Sequence, residues 1–306
     1  MTQHTMLDRG IRRSAACRAI LVAGGWLALT APIPSPAAAE VLLNADFTST
    51  SWYTSWQNNN TSANLTGEPA NTMRIAASTT TAGFVPLDGP ALEVTIPQGE
   101  QSGTGLSFYP RALLGKDPSE LYLRYYIRFG SDWNNAQNGK LPGFGGTYDI
   151  GGWGGKPSDG TNGWSARGKF GEPCSNGKVH VGSYVYHADM VGQYGQSFTW
   201  TNGCTSGLNK NQWYAIEYFV KVNTPGSSDG ILRGWIDNRL VMEETGLRFD
   251  DTGKFQIERV WMNVFHGGSK LAPQTMHLFI DNVVVSTKPI GSELATPNPP
   301  AELTVE

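Results

Sequence analysis

The feature that most constrains this chain is a period of two. Apolar side chains recur on alternate residues in short runs: LYLRYYIRF at 121–129, WYAIEYFVKV at 213–222, LRGWIDNRLVMEE at 232–244, ERVWMNVFH at 258–266 and MHLFIDNVVVS at 276–286. Successive side chains of a strand point to opposite faces, so each run has one face for a core and one for something else. Turn chemistry such as NTPGSSDG at 223–230 and DDTG at 250–253 separates the runs, and helical spacing is nearly absent. Many alternating strands without a βαβ rhythm predict an all-β fold, a jelly-roll-like sandwich of two antiparallel sheets.

In the run 121–129, Leu121, Leu123, Tyr125, Ile127 and Phe129 share the core face. Arg124, Tyr126 and Arg128 share the other, where they either extend a basic cleft or are ordinary exposed positions. The segment 130–163 is rich in glycine and reads as a long loop, and loops of that length are usually functional or disordered. Its Trp133, Phe144, Tyr148 and Trp153 argue against disorder. They pack on the fold or stack on sugar rings at a cleft.

The N-terminus carries Arg9, Arg12, Arg13 and Arg18, then 13 mostly apolar residues at 19–31, then a small-x-small pattern at Ala37 and Ala39. This is the pattern of a secretory signal peptide over 1–39, cleaved near Ala39. The apolar run is too short to span roughly 30 Å of hydrocarbon, so no membrane association of the mature form is expected. A secreted or periplasmic location follows. Residues 40–290 are read as a single domain, and 291–306 as a Pro-rich disordered tail. The leader holds four Arg and one Asp, so its loss takes the formal charge from −3 to −6. An acidic chain excludes general nucleic-acid binding, and an anionic ligand needs a local basic cleft. Cys17 leaves with the leader, and Cys174 and Cys204 both sit in loop-like sequence, so one disulfide is expected between them.

The stretches GWSARGKF at 163–170 and VHVGSYVYH at 179–187 alternate in an unusual way. Ala166, Phe170, Val179, Val181 and Val185 form the core set. The other set is Ser165, Arg167, Lys169, His180, Tyr184 and Tyr186. The motifs hold no pair of carboxylates for glycoside hydrolysis, no nucleophile elbow and no phosphate loop. Cations beside tyrosines suit β-elimination from a uronic acid sugar. That reaction removes a weakly acidic C5 proton and needs its carboxylate neutralised, work for Arg or Lys, while Tyr or His moves protons.

Four ordered stretches then give a resemblance: NGKLPGFGG at 138–146, WSAR at 164–167, YVY at 184–186, and FHGGS at 265–269 followed by HLFIDNVVV at 277–285. In order and rough spacing over 120–286 the chain resembles the alginate and glucuronan lyases of polysaccharide lyase family 14. The resemblance implies a jelly roll with a cleft on a concave sheet, and β-elimination on a 1,4-linked polyuronate. It implies functional roles for Lys140, Ser165, Arg167, Tyr184 and Tyr186. Arg167 is assigned to grip the carboxylate, Lys140 to stabilise charge or act as base, and Tyr184 and Tyr186 to serve as base and acid. Ser165, Lys169, His180 and His266 are assigned to substrate binding. Two departures stand out, the Cys-bearing loop 171–177 and His266 at a position more often aromatic.

No metal or other cofactor is expected, the partner is an anionic polysaccharide, and a monomer is anticipated. Two other readings stay open: a lectin-like carbohydrate-binding module without turnover, and, ranked last, a sandwich-fold glycoside hydrolase.

Overall fold

The computed structural model describes residues 41–58, 72–76 and 82–291. The leader at 1–39 and the tail beyond Gly291 lie outside the described residues. Fifteen strands are described, with one four-residue α-helix, α1 (Arg111–Leu114), and one 3-10 turn. The first sheet contains β1 (Val41–Ala45), β3 (Met73–Ala76), β4 (Ala91–Ile96), β6 (Glu120–Phe129), β11 (Tyr214–Lys221), β12 (Gly230–Ile236), β13 (Arg239–Leu247) and β15 (Met276–Ser286). Its order is β13-β12-β11-β6-β15-β4-β3, with β1 also on β15. The second sheet runs β10-β9-β8-β7-β14-β5-β2. Its strands are β2 (Gln57–Asn58), β5 (Ser102–Phe108), β7 (Gly139–Gly146), β8 (Trp164–Phe170), β9 (Val181–Tyr186), β10 (Gln196–Thr199) and β14 (Arg259–His266). The strand pairings within both sheets are antiparallel.

The period of two builds the core. Leu121, Leu123, Tyr125, Ile127 and Phe129 of β6 are buried among Tyr218 and Val220 of β11 and Leu278 and Ile280 of β15. The same cluster takes Phe144, Ala166, Phe170, Val181, Val185, Val260, Met262 and Val264 from the second sheet. Burying each large side chain is worth about 1.5–3 kcal/mol, so this interior dominates the folding energy.

Two elements differ from the sequence reading. The run 232–244 is a hairpin: Asp237 and Asn238 have φ of 50° and 64° and turn β12 into β13. Two left-handed residues match the twist of a two-residue hairpin, and Asp and Asn tolerate that conformation. The second difference is β7, a central strand inside the segment read as loop. Its glycines and Pro142 depress strand propensity. Gly143 is there for space, since a Cβ would stand 2.4 Å from the Ala166 carbonyl oxygen. The register shifts between Leu141 and Gly143, so Pro142, which has no N–H to give a ladder, falls at an irregularity. The aromatics of this segment divide as follows. Trp133 and Phe144 are in the core, Tyr148 packs edge-on to Phe255, and Trp153 lies at a cleft.

Arg124 and Arg128 neither extend a cleft nor stand exposed. They are buried on the outer face of the first sheet, where Arg124 donates to the Gly291 carbonyl and to Tyr126 Oη at 3.2 Å. Arg128 donates to the carbonyls of Asn211 and Gly83. The expected disulfide is present, with Cys174 and Cys204 Cα atoms 5.5 Å apart. It ties the β8–β9 connection to the loop after β10.

Candidate active site

The alternation in β8 and β9 becomes a two-dimensional array once the strands pair. Ser165 stands opposite Tyr186, Arg167 opposite Tyr184, and Lys169 opposite Gly182. On the other side of β8, Lys140 of β7 stands opposite Lys169, and Gly143 opposite Arg167. One strand further, Trp261 of β14 is opposite Gly143. A cleft of about 780 Å³ lies on this outer face, lined among others by Lys140, Arg167, Tyr184, Tyr186, Trp261 and Asn263. Trp153 and Tyr194, from loops, stand at its wall, and Gln137 and Ser269 line it as well.

The electrostatics are unusual. Lys140 is 9% exposed and Arg167 7%. Among the described residues neither pairs with a carboxylate. Arg167 donates from Nη1 to Asn263 Oδ1 at 3.0 Å, and its guanidinium carbon lies 4.6 Å from the centre of the Trp261 ring. Burial draws its pKa down to about 10, against the opposing pull of Tyr186 and Tyr184, so it stays cationic at neutral pH. Lys140 Nζ lies 3.7 Å from the centre of the Tyr184 ring. Burial, then Arg167 and Lys169, bring its pKa down to about 7. Two desolvated cations without a counter-charge are costly, and an arriving anion supplies what the protein withholds.

The tyrosines form an edge-on pair with ring centres 5.7 Å apart. Burial and then Tyr186 push the Tyr184 hydroxyl up to about 12, which keeps it protonated at neutral pH. The Gly155 N–H donates to Tyr186 Oη at 3.3 Å, so the loop that carries Trp153 is tied to the tyrosine pair. Lys156 Nζ lies 4.5 Å from the centre of the Trp153 ring.

Four of the residues expected from sequence therefore share one cleft: Lys140, Arg167, Tyr184 and Tyr186. The other four do not line it. Lys169 is nearest, donating from Nζ at 2.9 Å to Ser197 Oγ, and Ser197 is at the cleft. Ser165 is fully buried and donates to the Gly152 carbonyl at 2.6 Å, which anchors the glycine-rich loop. His180 packs against Gly171 and lies beside the disulfide. His266 is fully buried, with Nε2 accepting from the Ala136 N–H at 3.0 Å and Nδ1 donating to the Lys270 carbonyl at 3.0 Å. That pattern requires the neutral ring, and burial lowers its pKa accordingly. Ser165 and His266 thus anchor loops, their polar atoms engaged inside the protein.

Trp261 and Asn263 were missed. ERVWMNVFH reads as an alternating strand with no cleft face assigned to Trp261 or Asn263, and the set Trp261, Asn263 and Phe265 lines the cleft. The signal was available, since it is the same period of two that singled out β8 and β9. Among the described residues, the one cluster of His, Cys, Asp or Glu with convergent ligand atoms is Cys174, His180 and Cys204. Its two sulfurs are bonded to each other, which removes them as metal ligands.

The two antiparallel sheets form a β-sandwich with a cation- and tyrosine-lined cleft on one outer face. Residues 86–282 match the family model described as Polysaccharide lyase 14. The chain belongs to polysaccharide lyase family 14 and is a polysaccharide lyase. Among solved structures it is similar to a mutant of the alginate lyase Aly36B in complex with an alginate tetrasaccharide. That match has 26% identity and a TM-score of 0.56, and covers 64% of this chain and 80% of that one. The PL-14 alginate lyase from Aplysia kurodai is 21% identical with a TM-score of 0.54, covering 69% of this chain and 86% of that one. An alginate lyase from Chlorella virus is 17% identical with a TM-score of 0.57, covering 80% and 99%. The last two agree in fold. No curated protein matches the sequence.

Proposed function

We propose that the enzyme cleaves a 1,4-linked polyuronate, alginate or poly-glucuronate, by β-elimination. The observation that carries this reading is the pair of buried cations, Lys140 and Arg167, left without a carboxylate among the described residues. The complex of Aly36B with alginate supports it. Arg167, held by Asn263, neutralises the uronate carboxylate, since a guanidinium offers paired N–H donors to two oxygens. The developing aci-carboxylate is then stabilised where its charge appears. Lys140, with a pKa of about 7, is poised to take the C5 proton as a neutral amine. Tyr184, held protonated, and Tyr186 are the donors to O4 as the C4–O4 bond breaks. The C5–H electron pair becomes the C4=C5 double bond, one proton leaves C5, and one arrives at O4. The leader pattern and the Cys174–Cys204 disulfide support an exported enzyme.

The test is incubation of purified protein with alginate, its mannuronate and guluronate blocks, and poly-glucuronate, following ultraviolet absorbance of the unsaturated uronate. Absorbance rises on at least one polymer and fails to rise in Arg167→Ala. No rise on any polyuronate overturns the reading, and binding without cleavage would favour a carbohydrate-binding module.

A further inference from the structure

Arg167 is tethered lightly for a residue with its task. Among the described residues its guanidinium makes one hydrogen bond, to Asn263, and its buried Nε has no partner. What else holds it is the indole of Trp261. These two residues stand two strands apart, on β8 and β14, and backbones two strands apart are separated by roughly 9.5 Å. The residue between them in the register is Gly143, where a Cβ would press on the β8 backbone, 2.5 Å from Arg167 Cα. Gly145 lies under the same indole, where a Cβ would stand at ordinary contact distance, 3.4 Å from Trp261 Cε3 and 3.6 Å from Arg259 Cγ.

The same indole meets a second guanidinium. The Arg259 guanidinium carbon lies 4.5 Å from the ring centre. Unlike Arg167, Arg259 is anchored: it donates to Thr147 Oγ1 and lies 3.5 Å from Asp149 and 3.7 Å from Glu258. The buried atoms without partners include Arg167 Nε, Arg259 Nε and Trp261 Nε1, so this stack holds three unmet donors in one place. Unmet buried donors call for an explanation. Here the aromatic face replaces directed hydrogen bonds, leaving the remaining Arg167 donors free for a ligand.

We infer that Trp261, fixed by the anchored Arg259, is the positioning residue that aims the Arg167 guanidinium at the substrate carboxylate. The role assigned to Arg167 rests on the polyuronate reading above. Contact between a cation and an aromatic face is worth about 0.5–2 kcal/mol, roughly 2- to 30-fold in an equilibrium. The chemistry also sets a signature that a merely structural tryptophan lacks. A residue that acts through Arg167 matters for a charged carboxylate and little for its uncharged methyl ester.

The experiment compares the unsubstituted enzyme with Trp261→Leu and Trp261→Phe on a polyuronate and on its partly methyl-esterified form. Trp261→Leu is expected to lose about tenfold in kcat/KM on the charged polymer, mostly through KM, and distinctly less on the esterified one. Trp261→Phe, which keeps an aromatic face, recovers most of the loss. Equal losses on both polymers, or no loss on either, overturn the inference. A crystal structure of Trp261→Leu gives a readout independent of turnover: Arg167 turns away from Asn263. An Arg167 that keeps its place there overturns the inference whether or not any polyuronate is cleaved. Absence of cleavage by the unsubstituted enzyme overturns only the functional reading on which it rests.

Discussion

The outer faces of the two sheets carry the same kind of residue and treat it in opposite ways. On the first sheet, Arg124 and Arg128 are buried and saturated. Backbone carbonyls accept from both, Tyr126 accepts from Arg124, and Glu217 stands 3.8 Å from Arg124. Glu217 in turn accepts from the N–H groups of Ile290 and Gly291, so the segment after β15 is sewn onto this face. On the second sheet, Lys140 and Arg167 are as buried but have an aromatic ring where a carboxylate or carbonyl would be expected. A strand with basic residues on alternate positions therefore says little by itself. What separates a structural arginine from a chemical one is whether the fold has already satisfied it.

The sharpest way to break this comparison is to remove one cation from each face. Arg167→Ala and Lys140→Ala are expected to lower kcat/KM on the preferred polymer about 10²–10⁴-fold with little change in melting temperature, the range for charge-stabilising and proton-transfer groups. Arg124→Met should do the reverse, destabilising by about 3 kcal/mol in denaturant melts because it leaves Glu217 buried without its partner, while kcat of the folded fraction is retained. Activity lost in Arg124→Met without loss of stability would erase the distinction.

Breaking the Cys174–Cys204 link with paired serines comes next. Closing a loop between residues 30 apart is worth about 3–4 kcal/mol, and the loss should appear in the melt while kcat/KM changes little. The pH dependence sharpens the contrast at lower amplitude. With Lys140 at about 7 and its neutral amine taking the proton, kcat/KM should rise as pH climbs through 7, and a fall through that value would overturn Lys140 as the base.

The smallest expected effect on activity, though not on stability, belongs to Asp281 on the first sheet, whose carboxyl burial, then Asp88 and Asp46, push up to about 8. The folded state then keeps a proton that the unfolded chain releases near pH 4. Stability should fall as pH rises from about 4 to about 8 and level off above, and Asp281→Asn should flatten that slope.

Much of this arrangement was legible in the sequence, and the parts that were not share a physical cause. β6, β11, β14 and β15 could be read because half of each strand faces a core and alternation survives. β7 could not, because both of its faces are covered and its glycines serve neighbouring strands instead of announcing a strand themselves. Lys140, Arg167, Tyr184 and Tyr186 came together because residues two apart on a strand share a face whatever the tertiary context. Ser165, His180 and His266 match the site in residue type but do not line the cleft. Whether a hydroxyl or an imidazole faces a ligand or a backbone carbonyl is decided by loops whose course local pattern does not encode. Trp261 and Asn263 lie on a strand whose alternation alone does not say which face lines a cleft.

The bare stretch of β7 has an evolutionary consequence. At Gly143 any side chain would press on the backbone of β8, so drift there is blocked. The walls of the cleft are built instead from loops bearing Trp153, Tyr194, Gln137 and Ser269. A lineage that keeps this floor can change the polymer it prefers by rewriting its walls, and diversification should be found in those loops, above a floor that stays still.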